Sequence, residues 1–112
     1  MNLKMNKSLS TGSTIGILGG GQLGQMLSIA AARLGFKTHI FEPSANPPAS
    51  FVASKFTQAE YDDYEALKKF SSDVDVVTYE FENIPTRALN VVEEQCEIFP
   101  SREALKISQD RL

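Results

Sequence analysis

Cysteine and histidine are scarce in the 112-residue sequence, which has one cysteine, Cys96, and one histidine, His39. A single cysteine excludes an internal disulfide, and it leaves a structural zinc site without enough ligands. His39 lies in a predicted buried strand far from Cys96 in the sequence, so the thiol lacks a neighbouring base and is interpreted as structural or incidental. Such sparing use of cysteine is typical of a protein in the reducing cytoplasm.

The sequence also lacks an excess of positive charge and long apolar runs. Lysine and arginine number 11 against 14 acidic residues, and the longest charged runs are pairs, whereas a nucleic-acid-binding surface is basic and clustered. No apolar run approaches the roughly 20 residues needed to span a membrane. Residues 1–13 lack the apolar centre of a signal peptide and are predicted to form a flexible lead-in. Neither a nucleic acid nor a membrane is therefore expected as a partner.

The sequence does contain short, apolar, β-branched segments that alternate with helical patterns. Strands are predicted at 14–18, 37–41, 56–59, 75–79 and 97–99, a helical turn at 49–53, and helices at 23–34, from 62–63 onward, at 86–94 and from 101 to the end. This alternation predicts a doubly wound α/β fold, in which about five parallel strands carry helices on both faces. In the first helix, the apolar spacing of Leu23, Met26 and Leu27 predicts that these side chains lie mostly in the core.

Three glycines follow the first predicted strand with the spacing G-x-G-x-x-G, at Gly19, Gly21 and Gly24. In that pattern the first glycine permits a tight turn, the second lets a ligand approach the backbone, and the third lets the helix pack against the strand. Free N–H groups at the start of the helix favour an anion, usually a phosphate. With Glu42 at the end of the second strand, the spacing alone fits the NAD(P)- or FAD-binding domain of an oxidoreductase. The glycines could instead serve only close packing, with no ligand.

Three longer segments carry a more specific signal than the glycine spacing. They read Gly-Gly-Gly-Gln-Leu-Gly-Gln-Met at 19–26, Val-Thr-Tyr-Glu-Phe-Glu-Asn-Ile-Pro at 77–85 and Ile-Ser-Gln-Asp-Arg-Leu at 107–112. Together with Tyr-Asp-Asp at 61–63, they closely resemble the 5-(carboxyamino)imidazole ribonucleotide synthetase family of the ATP-grasp superfamily. The resemblance runs from about residue 14 to residue 112, and the Tyr-Glu-Phe-Glu-Asn segment is much more specific than the glycine loop.

Members of this family use ATP, Mg²⁺ and bicarbonate to carboxylate the exocyclic amine of 5-aminoimidazole ribonucleotide through carboxyphosphate, in de novo purine biosynthesis. They have an amino-terminal preATP-grasp domain, a central ATP-grasp domain and a carboxy-terminal domain, and they are usually homodimers. The resemblance implies that residues 14–112 are the first of these domains. The last predicted helix stops at Leu112 without a capping glycine, which predicts a truncated chain. Most ligands of ATP and all metal ligands would then lie outside it, and the chain alone is expected to be inactive.

The resemblance also implies roles for individual residues. Gln22 and Leu23 match residues that contact the substrate ribonucleotide, and Gly21 gives backbone access to it. Glu80 matches a glutamate that binds the head or the ribose of the substrate, and Arg111 matches an arginine that touches ATP. No catalytic residue and no metal ligand are expected within this chain.

Each of these roles has an alternative. Gln22 could cap the first helix instead of contacting the substrate, and Glu80 could accept hydrogen bonds from nearby backbone N–H groups. Glu82 could share the role of Glu80 or face solvent, and spacing does not decide between the two. Tyr79 is interpreted as a core residue, and Glu42 as a strand-end carboxylate without an assigned function. A non-catalytic module that binds a partner or an anion is the third interpretation, beside the ligase domain and the oxidoreductase domain.

Overall fold

The computed structural model describes residues 11–79 and 84–99, in which strands and helices alternate as predicted. The elements of this part of the chain are β1 (Thr14–Leu18), α1 (Gln22–Arg33), β2 (Lys37–Glu42), a 3₁₀ helix (Pro48–Phe51), β3 (Lys55–Gln58), α2 (Tyr64–Ser72), β4 (Val76–Tyr79) and α3 (Thr86–Glu93). None of the helices in these residues has the length and the apolar character required to cross a membrane. The helix predicted from residue 101, and most of the predicted lead-in, lie outside the described residues.

The strands form one parallel sheet in the order β3-β2-β1-β4. β1 lies between β2 and β4, and Leu18 at its end pairs with Phe41 on one side and with Tyr79 on the other. In place of the predicted fifth strand, Ile98 alone pairs with the sheet, through an isolated parallel bridge with Val77. The predicted fold class is confirmed, with four strands in the described part of the chain.

Alternate residues of each strand point to opposite faces of the sheet, and different helices cover the two faces. Leu18 and Phe41 belong to the larger core cluster, which includes side chains of α2 and α3. Ile17 and Ile40 belong to a smaller cluster with Ala49 of the 3₁₀ helix. α1 lies beside the 3₁₀ helix on this second face. Most of the apolar packing is therefore on the side of α2 and α3.

α1 approaches the sheet through small residues, and its buried positions are Gly24, Ser28 and Ala31. A Cβ atom on Gly24 would lie 2.9 Å from the carbonyl oxygen of Gly19 and 3.4 Å from the Cβ atom of Ala49. The buried hydroxyl of Ser28 donates to the Gly24 carbonyl at 2.8 Å, so its polar group is satisfied within the helix. The third glycine of the motif thus lets the helix lie close to the strand, as the pattern predicts.

The large apolar side chains of α1 point away from the sheet, and the prediction that they form part of the core is wrong. The exposed fractions are 48% for Leu23, 65% for Met26 and 37% for Leu27. Apolar spacing identifies the buried face of a helix only when the other face is polar. α1 carries one charged residue, Arg33 in its last turn, so its sequence offers no such contrast. The absence of a side chain at Gly24 decides which face lies inside.

Two helix ends in the described residues carry capping residues. Asp63 precedes α2, and its Oδ1 atom accepts a hydrogen bond from the Ala66 N–H at 3.1 Å, which satisfies one donor of the first turn. Gly35 follows α1 with a φ of 89°. The N–H groups of Gly35 and Phe36 donate to carbonyls in the last turns of α1. This is the Schellman arrangement, which glycine adopts without strain.

Replacing Gly24 with alanine is expected to lower the free energy of unfolding by about 1–3 kcal/mol, because the added methyl group overpacks the contact with Gly19. Helix propensity alone acts in the opposite direction, by up to about 1 kcal/mol. Urea denaturation of the Gly24→Ala variant measures the net effect. Ala32→Gly, at an exposed position of the same helix, is the control for propensity and is expected to cost about 1 kcal/mol. A Gly24→Ala variant as stable as the unsubstituted chain would contradict the close approach.

Candidate functional site

The candidate site lies at the carboxyl ends of β1 and β4. From β1 the chain runs outward through β2 to β3, and it then returns to the other side of β1 as β4. The connections after β1 and β4 therefore diverge, and ligands of open α/β sheets bind in the crevice at such a switch point. Leu18 and Tyr79 pair at this edge, and they immediately precede the glycine loop (residues 19–21) and residue 80.

Backbone contacts fix the shape of the glycine loop. Gly19 has a φ of 112°, a conformation that side chains disfavour, and its N–H donates to the Phe41 carbonyl at 2.9 Å. The Gly20 carbonyl accepts a hydrogen bond from the Ala49 N–H at 3.0 Å. A Cβ atom on Gly20 would lie 2.8 Å from the side chain of Pro47, so the middle position also requires glycine. The loop is thus held against the end of β2 and the start of the 3₁₀ helix.

Glu42, at the end of β2, binds this loop through its side chain. Its Oε1 atom accepts a hydrogen bond from the Gly20 N–H at 2.9 Å. Its Oε2 atom accepts hydrogen bonds from the N–H and the hydroxyl of Ser44, at 3.1 and 2.8 Å. A dinucleotide-binding domain uses the acid at this position for the ribose hydroxyls. Because both oxygens of Glu42 are engaged within the chain, the geometry argues against the oxidoreductase interpretation.

The structure brings Gly21, Gln22 and Leu23 together at the start of α1. Gly21 is the N-cap residue, with a φ of −78° and a ψ of −154°, and it has no side chain to cap the helix. The side chains of Gln22 and Leu23 are exposed. The side chain of Gln22 forms no hydrogen bond with a described residue, so the capping role considered for it is not observed in this part of the chain.

The other predicted site residues fall outside the described part of the chain. These are Glu80 and Glu82, which follow β4, and Arg111, which lies near the end of the sequence. Tyr79, directly before Glu80, is 3% exposed, so its interpretation as a core residue is confirmed. The roles of Glu80 and Arg111 stay predictions.

A second cleft, of about 660 Å³, lies between the sheet and α2, and its walls include His39, Lys55, Thr57 and Asp73. His39 Nε2 and Thr57 Oγ1 are 2.7 Å apart, and His39 Nδ1 lies 3.3 Å from Asp73 Oδ2 without an aligned hydrogen bond. Lys55 Nζ donates to the same Asp73 oxygen at 2.8 Å. Lys55 begins β3 and Asp73 precedes β4, so this cleft lies toward the amino ends of the strands, whereas the glycine loop lies at their carboxyl ends. Its residues come from distant segments, and no local sequence pattern predicts it.

Burial governs the ionisation of His39. It lowers the pKa of the imidazole below its ordinary value of 6.5, and this effect outweighs the opposing attraction of Asp73. The hydrogen bond from Lys55 lowers the pKa of Asp73 in turn. The His39 ring also packs edge-on against Phe70, with ring centroids 4.9 Å apart. A neutral ring suits this apolar contact, so the group is interpreted as a support of the fold.

Cys96 lies after α3, and its thiol is poorly suited to chemistry. Burial raises the pKa of the thiol to about 11, and the negative charges of Asp75 and Glu97 act in the same direction. A protonated thiol is a weak nucleophile, which supports the structural interpretation of Cys96. Within residues 11–79 and 84–99, no group of three histidine, cysteine, aspartate or glutamate side chains is placed to hold a metal ion.

Comparison with known proteins places these features in a family context. The sequence matches the family model of the ribonucleotide synthetase preATP-grasp domain over residues 12–109. An N5-carboxyaminoimidazole ribonucleotide synthase from Brucella melitensis is 53% identical over 104 residues, which are 93% of this chain and 29% of that protein. The bifunctional purine synthesis protein purC/E of Dictyostelium discoideum is 53% identical over 104 residues, which are 93% of this chain and 10% of that protein. The chain thus spans less than a third of either relative.

Solved structures show the same likeness. N5-carboxyaminoimidazole synthetase from Staphylococcus aureus, complexed with ADP, matches with a TM-score of 0.76 at 45% identity, over 81% of this chain and 24% of that chain. N5-carboxyaminoimidazole synthase from Aspergillus clavatus, in complex with ADP and 5-aminoimidazole ribonucleotide, matches with a TM-score of 0.73 at 33% identity, over 86% of this chain and 26% of that chain. These matches confirm the resemblance drawn from segments 19–26 and 77–85.

The free energy of unfolding is expected to fall as the pH drops below 6.5, because His39 has a lower pKa in the folded chain than in the unfolded chain. Its contribution is complete above pH 6.5 and is lost as the pH falls through the folded-state pKa, with a slope of at most about 1.4 kcal/mol per pH unit. Urea denaturation across this range measures the effect. His39→Gln removes the only histidine and is expected to flatten the curve near pH 6. An NMR titration that gives His39 a pKa of 6.5 or higher would contradict the prediction.

Proposed function

Because this chain belongs to the ribonucleotide synthetase preATP-grasp family, we propose that it is the substrate-binding domain of an N5-carboxyaminoimidazole ribonucleotide synthase. Such an enzyme is an ATP-dependent carbon–nitrogen ligase of de novo purine biosynthesis, and it carboxylates 5-aminoimidazole ribonucleotide with bicarbonate. The observation that carries the proposal is a glycine loop at the switch point of the sheet, in a chain that is 53% identical to a synthase of this name. Residues 14–112 would supply one wall of the active site.

The ribonucleotide would bind with its 5′-phosphate at the start of α1. The N-cap residue there is Gly21, which has no side chain to fill the space in front of the first-turn N–H groups. Such N–H groups attract a phosphate through hydrogen bonds and through the helix dipole. The exposed amide of Gln22 can donate and accept hydrogen bonds, and Leu23 offers apolar surface beside it. The Aspergillus clavatus relative, which holds 5-aminoimidazole ribonucleotide, supports the choice of ligand.

Glu80 would bind the aminoimidazole head or the ribose from the neighbouring strand end. Tyr79, which directly precedes Glu80 in the sequence, ends β4 and pairs with Leu18 at the end of β1. A carboxylate accepts hydrogen bonds from an amine and from hydroxyls, and Glu82 is a second candidate for this role. Arg111 would contact ATP, because a planar guanidinium fits phosphate oxygens.

ATP and Mg²⁺ would be bound mainly by parts of the enzyme beyond this chain. The described residues hold no group of side chains fit for a metal ion, and the ATP-grasp domain implied by the resemblance would supply such ligands. Bicarbonate would be phosphorylated by ATP, and the exocyclic amine of the ribonucleotide would attack the carboxyl carbon of carboxyphosphate and release phosphate. This chain would hold the ribonucleotide for that attack. The full-length enzyme is inferred, from the resemblance, to be a cytoplasmic homodimer.

Gln22→Ala is expected to weaken binding of 5-aminoimidazole ribonucleotide about fivefold to tenfold, because one hydrogen bond to the ligand is lost. NMR titration of the backbone amides gives the dissociation constant, and the largest shifts are expected at Gly21, Gln22 and Leu23. Gln25→Ala is the matched control, since it removes the same side chain three residues later in the same helix. Equal weakening by both substitutions would contradict a specific contact at Gln22.

A parallel titration with NADH tests the oxidoreductase alternative. Shifts with NADH that include Glu42, together with none from the ribonucleotide, would overturn the proposed function. The isolated chain is also expected to release no phosphate from ATP when the ribonucleotide is present. Release stimulated by the ribonucleotide would contradict the proposal that this domain only binds the substrate.

A further inference from the structure

We propose that Glu42 is a positioning residue that holds the glycine loop in the shape required to bind the phosphate of the ribonucleotide, an inference that rests on the proposed function. An acid at this strand end commonly binds a ribose directly. In this chain the carboxylate turns to its own backbone instead. Its effect on the ligand therefore passes through the loop.

Two backbone segments meet at the carboxylate of Glu42. Oε1 accepts the Gly20 N–H at 2.9 Å, and Oε2 accepts the Ser44 N–H at 3.1 Å and the Ser44 hydroxyl at 2.8 Å. The side chain thus connects the loop after β1 to the turn after β2. The bond to Gly20 is partly buried, where a hydrogen bond to a charged acceptor is stronger than it is in water.

A carboxylate can serve both segments, and an amide of the same size cannot. The N–H groups of Gly20 and Ser44 each need an acceptor, and they approach different oxygens of Glu42. Glutamine offers one oxygen and one NH₂ group, so one of these two N–H groups would face a donor. The substitution Glu42→Gln therefore leaves one of the two contacts in place, whereas Glu42→Ala removes both.

Two consecutive peptide groups of the loop precede α1, and each is held in place by one hydrogen bond. Glu42 holds the Gly19–Gly20 peptide through its N–H, and the Ala49 N–H holds the Gly20–Gly21 peptide through its carbonyl oxygen. The carbonyl of the first of these peptides belongs to Gly19, which lies under Gly24, where an added Cβ atom would be 2.9 Å away. A tilt of that peptide would displace the Gly19 carbonyl against which α1 packs. It would thereby shift the first-turn N–H groups that are proposed to bind phosphate.

Glu42→Ala tests the proposal, with Glu65→Ala as the matched control, because Glu65 is an exposed carboxylate on α2. In Glu42→Ala, protection of the Gly20 amide against hydrogen exchange is expected to fall about tenfold relative to the core amides of Ile17 and Ile40. The dissociation constant of 5-aminoimidazole ribonucleotide is expected to rise about fivefold or more. Glu65→Ala is expected to change neither quantity. NMR on the 112-residue chain provides both measurements.

The affinity measurement separates positioning from a general contribution to stability. A modest loss of stability leaves nearly all molecules folded, and it does not change the measured dissociation constant. A Glu42→Ala variant that binds the ribonucleotide as tightly as the unsubstituted chain, or more tightly, would overturn the proposal, and so would unchanged protection of the Gly20 amide. If the unsubstituted chain fails to bind the ribonucleotide, the proposed function falls, and this inference falls with it.

Discussion

The position of α1 depends on one short approach, between Gly24 and the carbonyl oxygen of Gly19, where no side-chain atom fits. Because the helix approaches the sheet there, its first turn follows directly from the end of β1, and its small residues face the sheet. The candidate site is therefore built from backbone proximity at a strand end. This explains why its described part consists of a glycine loop and the N–H groups that follow it, with few charged side chains.

The two faces of the sheet stabilise the domain in different ways. The face under α2 and α3 contains large buried side chains, including Phe41, Leu67 and Phe70, and apolar area of this kind is the main stabilising contribution. The face under α1 has a smaller apolar cluster. The glycine loop at its edge is fixed by the hydrogen bond that the Gly20 N–H donates to Glu42 and by the one that the Ala49 N–H donates to the Gly20 carbonyl. A large apolar core on one face thus supports, at the edge of the other face, a candidate binding loop whose shape is set by hydrogen bonds.

Most of the fold can be predicted from short segments of sequence, because helix ends and strands are marked by residues that are close together in the chain. The caps at Asp63 and Gly35 mark helix ends, and β-branched segments mark the strands. The family followed from segments longer than the glycine spacing. The inner face of α1 could not be predicted, since the helix has almost no charge to mark its outer face.

Contacts between segments that are distant in the sequence could not be predicted. The hydrogen bond between Gly20 and Glu42 spans 22 residues, and the one between His39 and Thr57 spans 18, so no local pattern encodes either contact. The predicted roles of Glu80 and Arg111 rest on resemblance, because both residues lie outside the described part of the chain.

β1 is the first strand of the described chain to be synthesised, and it lies inside the sheet. It gains its second neighbour only after the ribosome has made Val76–Tyr79, because β4 pairs with it across most of the domain. Parallel pairing between distant segments is slow, since the intervening chain must first be closed into a loop. Until then an apolar strand keeps one row of open N–H and C=O groups, which can recruit another chain. The structural centre of this domain is consequently completed only when the last of its described strands has been made and has paired.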